Sequence, residues 1–246
     1  MAKFHIGTMG WSYNFWSGNF YPAALKSDAF LTEYSKHFDS VEVDYTFYRV
    51  PNKGTINKWR SEVPEGFLFS LKFPRVITHV KMLENCEDAA HFFLDRVSEL
   101  QGNLGPLLLQ FPPSFRYERL HLLRDFVASL PKKYRFAVEV RNASLLDDKL
   151  YSLLRENGIA LVMVDKPSLP TIDESTANFL YLRWEGDRNT VNGTLGRVEV
   201  DRTAEISKWA KKIRGFAESA ENVFGYFSKY YSGHPPTDAR KLLSLL

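Results

Sequence analysis

Cysteine is nearly absent: Cys86 is the only one among 246 residues. One thiol cannot close an intramolecular disulfide, and a reducing compartment is the expectation. No apolar run reaches the roughly 20 residues that span a bilayer. The N-terminal MAKFHIGTMG enters an apolar strand pattern directly, without the long apolar run of a signal peptide. A cytoplasmic protein with no membrane partner is therefore expected. No Gly-x-Gly-x-x-Gly follows the first strand pattern, and Gly7-Thr8-Met9-Gly10 lacks the spacing of a phosphate-cradling loop. No histidines are paired at metal-ligand spacing, which leaves a zinc site unsupported. Linkers, repeats and low-complexity tracts are missing too, so residues 1–246 read as one domain.

What is present is ordinary globular composition, with 44% hydrophobic and 25% charged residues. A net charge of +3 permits anionic ligands without demonstrating them. Apolar runs of strand length recur at 4–9, 40–45, 67–73, 106–111, 135–140, 159–165, 179–184 and 222–228. Helical segments fit between them at 23–37, 52–62, 84–101, 117–129, 143–157 and 203–220, and 236–245 closes the chain. The sixth unit is weak, since KPSLPTIDESTAN reads as a loop. Eight strand–helix units predict an α/β fold, a single (β/α)8 TIM-like barrel, over an open doubly wound sheet.

Strand alternation then divides the residues. In FAVEVR (136–141), Phe136, Val138 and Val140 suit the helix layer, leaving Glu139 and Arg141 to face inward. The same reading points Glu42 and Asp44, Lys72, Gln110, Asp165, and Tyr181 with Arg183 into the lumen, most of them late in their strands. Barrel active sites are built at that end. Isolated buried charges are costly, so the cluster must be paired or hydrated. It is either a salt-bridged layer closing the barrel or a ligand site, and the number of charges favours the ligand site.

The strand-exit loops add Trp11, Tyr13 and Tyr48 as stacking candidates, and Arg49 and Arg75 beside Arg141 and Arg183 as anion binders. Trp11, Trp16 and Phe20 can equally form an apolar lid. His79 lies early in an exit loop and is a candidate acid–base group or ligand. Acid-only coordination of magnesium or manganese by Glu42, Asp44, Glu139 or Asp165 is open.

The segments GTMGWSYNFWSGNFYP, VEVDYTFYRVP, FSLKFPRVITH, LGPLLLQFPPSF, FAVEVRN and VMVDKP, in this order, resemble the DUF72 (YecE-like) family over most of the chain. The resemblance implies a single (β/α)8 barrel and no established activity. Two places depart from the family pattern. Arg183-Trp184-Glu185-Gly186 stands where the family has Arg-x-His-Gly, and Ser228-Lys229 follows Phe227 where paired asparagines are usual. If those groups are chemically required, this chain has altered or lost that activity.

The functional expectation is an enzyme, hydrolytic or proton-transferring, on an anionic small substrate, with phosphorylated compounds among the candidates. Glu139, Glu42, Lys72 and Asp165 are its candidate catalytic groups. Arg141, Arg183, Gln110, Asp44, Trp11, Tyr13, Tyr48 and His79 are its candidate binding groups. Glycoside hydrolysis by Glu42 with Glu139, Schiff-base chemistry at Lys72, and non-catalytic binding of an oligonucleotide or phosphometabolite stay open, as does the oligomeric state.

Overall fold

In the computed structural model, which describes residues 2–246, the strand runs fall where the apolar patterns lie. They are β1 (Lys3–Thr8), β2 (Ser40–Val43), β3 (Leu68–Lys72), β4 (Leu104–Gln110) and β5 (Phe136–Glu139). Then come β6 (Ala160–Leu161), β7 (Met163–Asp165), β8 (Phe179–Trp184) and β9 (Asn222–Phe227). The helices are α1 (Phe30–Tyr34), α2 (Tyr45–Tyr48), α3 (Lys53–Ser61) and α4 (Glu87–Ser98). They continue with α5 (Leu120–Ser129), α6 (Asp148–Glu156), α7 (Thr203–Ala217) and α8 (Pro235–Leu243). Asn52 caps α3 by accepting from the Thr55 amide, and Asp147 caps α6 by accepting from the Leu150 amide.

Several helices differ from the sequence pattern, and α2 falls where that pattern places none. The expected helix at 23–37 shrinks to Phe30–Tyr34, because only Phe30, Leu31 and Tyr34 bury side chains while residues 22–24 are exposed. The expected helix at 143–157 starts at Asp148, behind a short turn that Asn142 caps. Residues 166–178 contain no helix, as their proline- and serine-rich sequence suggests.

All strand pairs are parallel. They make a four-stranded sheet, ordered β1-β9-β8-β7, and a five-stranded sheet, ordered β2-β3-β4-β5-β6. The single continuous sheet expected for a closed barrel is thus not what the ladders describe. The sheets meet at two seams. Only Val162 separates β6 from β7, and its amide donates to the Val138 carbonyl. At the other seam a lone parallel bridge joins Met9 to Glu42, with the Gly10 amide donating to the Glu42 carbonyl at 2.7 Å.

The sheets face each other across a shared interior. Met9, Leu108, Ala137, Ala160, Val162, Val164, Phe179, Tyr181, Phe224 and Tyr226 pack together there, apart from the larger core between strands and helices. The Tyr226 hydroxyl reaches across to Ser40 Oγ (2.5 Å) and Ser70 Oγ (2.7 Å). Above this layer, at the strand C-termini, the interior becomes charged. Among the described residues no helix is long and apolar enough to cross a membrane.

Candidate functional site

Arg183 is the centre of the charged layer. It follows Tyr181 on the inner face of β8 and is almost wholly buried. Its Nε and Nη2 bind Glu42 at 3.0 and 2.8 Å, and its Nη1 lies 2.5 Å from Glu139 and 2.6 Å from Glu185. Tyr181 donates its hydroxyl to Glu42 Oε2, the oxygen that Arg183 Nε also binds, at 2.7 Å. Arg141 completes the ring, with Nε on Glu139 at 2.6 Å and Nη2 on Glu185 at 2.7 Å. Each carboxylate thus meets at least one guanidinium, which is what makes so many buried charges tolerable.

The environment splits the two inner glutamates. Burial pushes Glu42 above the usual carboxylate range, against the pull of Arg183. Burial would also raise Glu139, but Arg183, Arg141 and Lys72 together bring it down to about 2. Glu139 is therefore ionised across the physiological range.

Glu185 was not among the candidates, although two-residue alternation from Tyr181 through Arg183 reaches it. Its position depends on the next residue. Gly186 has φ +67°, and a Cβ there would come within 2.1 Å of the Tyr230 carbonyl oxygen, so glycine lets the chain turn directly after the strand.

Above the ion network is a cavity of about 470 Å³. Asp44, Tyr48, Lys72, His79, Gln110 and Arg141 line it with Tyr13, and Arg75, Arg188 and Lys229 stand at its wall as further cations. Lys72 approaches only one carboxylate within salt-bridge range, Asp44 at 3.9 Å, and its Nζ sits 4.2 Å from the Phe47 ring centroid. Burial lowers its pKa. Arg75, Arg188 and Lys229 make no salt bridge among the described residues, whereas Arg141 and Arg183 are held by glutamates.

Short segments aim these groups. Thr46 donates to the Lys72 carbonyl at 2.6 Å, fixing α2 to β3 and presenting Asp44 and Phe47 on one side of the mouth. His79 lies in a wide helical turn, Val76–Val80, in which the Lys81 amide donates to the Val76 carbonyl; such turns recur at functional sites. Its ring meets Phe47 edge-on at 4.8 Å, and Nδ1 lies 2.9 Å from the Thr78 hydroxyl. Burial, helped by Lys72, Arg75 and Arg141, lowers its pKa to about 4. His79 is thus neutral near pH 7. Gln110 uses its amide nitrogen on the Phe111 carbonyl, and Tyr48 is 80% exposed at the rim.

Asp165 does not join this site. The interior residues of its strand are Ala160, Val162 and Val164, so Asp165 has the opposite parity and faces α7. There it accepts from Trp209 Nε1 at 2.6 Å and Tyr231 OH at 3.3 Å. Trp11 lies in the adjoining cleft, edge-on to Trp59 and Phe69. Glu42 and Glu139 have no exposed surface, and their oxygens are engaged by Arg183, Arg141 and Tyr181. That geometry removes them as a glycosidase pair, and it removes Glu139 as a proton donor. Nor do Glu42, Asp44, Glu139 and Asp165 converge on one ion: among the described residues no three acids, histidines or cysteines are grouped to hold a metal.

Parallel strands around a shared interior, with a polar mouth at their C-terminal ends, define an α/β protein of the class whose sites sit at strand ends. The family model described as "Protein of unknown function DUF72" matches residues 5–246, and the chain belongs to the DUF72 family. The Escherichia coli (strain K12) protein UPF0759 YecE is 31% identical over 227 residues, covering 82% of this chain and 81% of its own. Bacillus subtilis (strain 168) YunF is 27% identical over 273 residues, covering 98% and 94%. A crystal structure of a DUF72 family protein from Thermotoga maritima superposes with a TM-score of 0.82 at 26% identity, covering 99% of this chain and 98% of that one. The Thermotoga maritima protein shares the fold, and none of the three names states an activity.

Proposed function

We propose that the two sheets act as one (β/α)8 barrel in a single domain, and that its mouth binds a phosphate-bearing small molecule and carries out hydrolysis or proton transfer on it. The observation that carries this reading is the uneven pairing of charge. Arg141 and Arg183 are held by glutamates, while Arg75, Arg188 and Lys229 line the same cavity without a salt bridge and Lys72 has only Asp44, at 3.9 Å. Cations left free around a concave site suit a ligand of high negative charge.

This arrangement changes the roles expected for the glutamates. Glu42, Glu139 and Glu185 hold the arginines in place and act as positioning residues. Lys72 and His79 line the cavity outside that network and are the groups proposed for proton transfer. In hydrolysis of a phosphate ester, neutral His79 would take the proton of the attacking water as the new P–O bond forms. The Lys72 ammonium would give its proton to the departing oxygen as the old bond breaks. Burial of Lys72 favours release of that proton.

The test is phosphate release from a panel of phosphomonoesters by the whole chain and by Lys72→Met and His79→Gln. The reading expects turnover that falls at least about 100-fold in each variant, the size usual for a general acid or base. Binding without turnover would support the second reading, a non-catalytic phosphometabolite- or nucleic-acid-binding barrel, which the exposed rim Tyr48 favours.

A further inference from the structure

We infer that the substrate carries a ring on its phosphate, and that this ring lies in an aromatic cleft beside the cationic mouth. This rests on the phosphate-binding reading above and names the other half of the molecule. The cleft holds about 460 Å³ and opens between Trp11, Val43, Tyr45, Thr55 and Trp59. Tyr13 and Asp44 line both it and the cationic cavity, so the two are adjoining rooms with common walls.

Charge is segregated across that wall. The lysines and arginines line the mouth, and no lysine or arginine lines the cleft. Trp59 is a fixed surface, 8% exposed and stacked on Phe69 at 5.9 Å. Trp11 meets it at 89° and 5.7 Å, and Tyr45 meets it at 85° and 6.3 Å. Two rings set edge-on to a third form a corner in which a planar ligand can stack on one ring face and meet another ring's edge. Tyr45 is 46% exposed, which leaves its side of the corner accessible.

Asp44 links the two halves. Its Oδ1 is closed off from solvent, has no hydrogen-bond donor, and lies 3.9 Å from both Lys72 Nζ and Arg183 Nη2. The Asp44 side chain as a whole is 45% exposed, so a hydroxyl or amine placed between phosphate and ring would donate to the open part of its carboxylate. An inorganic anion would use only the cationic room; a ring-bearing phosphate monoester would use both.

The test is calorimetric titration of the full chain with inorganic phosphate, methyl phosphate and phenyl phosphate. Phenyl phosphate is expected to bind at least about tenfold tighter than methyl phosphate. Thr55→Trp, which fills the cleft from α3, and Tyr45→Ala, which removes its exposed wall, should each cut that preference to less than about threefold. The Kd of methyl phosphate should stay unchanged in both. Equal binding of the two esters by the unaltered chain would overturn the inference while leaving the phosphate-binding reading intact. So would a ring preference that survives both substitutions. If none of the three phosphates binds, the phosphate-binding reading fails and this inference falls with it.

Discussion

Arg183 and Glu42 tie the two sheets together: from β8 the guanidinium reaches β2, with Nη2 at 2.8 Å and Nε at 3.0 Å from the Glu42 carboxylate. The same guanidinium holds Glu139 on β5, so three strands depend on one cation. Arg183→Ala leaves three glutamates facing one another in a buried layer. Removing one partner of such a network costs roughly 3–5 kcal/mol, which lowers Tm by on the order of 6–20 °C in a domain of this size. Thermal unfolding of the variant checks it, and a shift under about 2 °C would contradict the central place given to Arg183.

The His79 ring should titrate far below an ordinary histidine. Its folded pKa, about 4, lies under the ordinary 6.5, so the unfolded chain binds protons more readily between those values. Its contribution to stability is therefore present above about 6.5 and is lost as pH falls toward 4. NMR of the imidazole C–H signals should give a midpoint near 4. Phosphate in the mouth should move that midpoint up, because an anion favours imidazolium. No movement at saturating phosphate would separate His79 from the bound anion.

Alternation of two along each strand makes most of the site legible in the sequence. Glu42, Lys72, Glu139 and Arg183 are inward and at strand ends, as the sequence pattern requires. Asp165 shows where that reasoning is fragile. Every residue of IALVMV is apolar, so the segment offers no contrast to set its parity, and the inward face expected for the lone acid is the wrong one. Glu185 is missed for another reason: it lies one step past the strand, just before the turn that Gly186 permits. Pairing is the part alternation cannot reach. Nothing in the spacing shows that Arg183 takes up oxygens of three glutamates, Glu42, Glu139 and Glu185, which leaves Lys72 and His79 rather than Glu139 for the proposed chemistry.

Away from the mouth, Asp238 should make stability depend on pH. It is buried in the first turn of α8, where the Ser232 hydroxyl donates to it at 2.5 Å. Burial raises its carboxyl from 3.8 to about 7, against smaller pulls from Ser232, Lys241 and Arg202. The folded state thus holds this proton more tightly than the unfolded chain. The resulting stabilisation is complete below about 4 and is lost as pH rises through about 7. Urea unfolding from pH 5 to 8 should show a fall in stability that Asp238→Asn removes. Parallel curves for the two proteins would contradict the assignment.

The most direct test of the account is calorimetric titration of a phosphomonoester into the unaltered chain and into Lys72→Met, at low and moderate salt. Lys72 has a single carboxylate in range, Asp44 at 3.9 Å, and its burial disfavours the charge, so methionine of similar volume should leave thermal stability nearly unchanged. The account predicts saturable binding that weakens with salt and falls at least about tenfold in the variant. Equal affinity in the two proteins, or no binding by the unaltered chain, would contradict a phosphate site at the mouth.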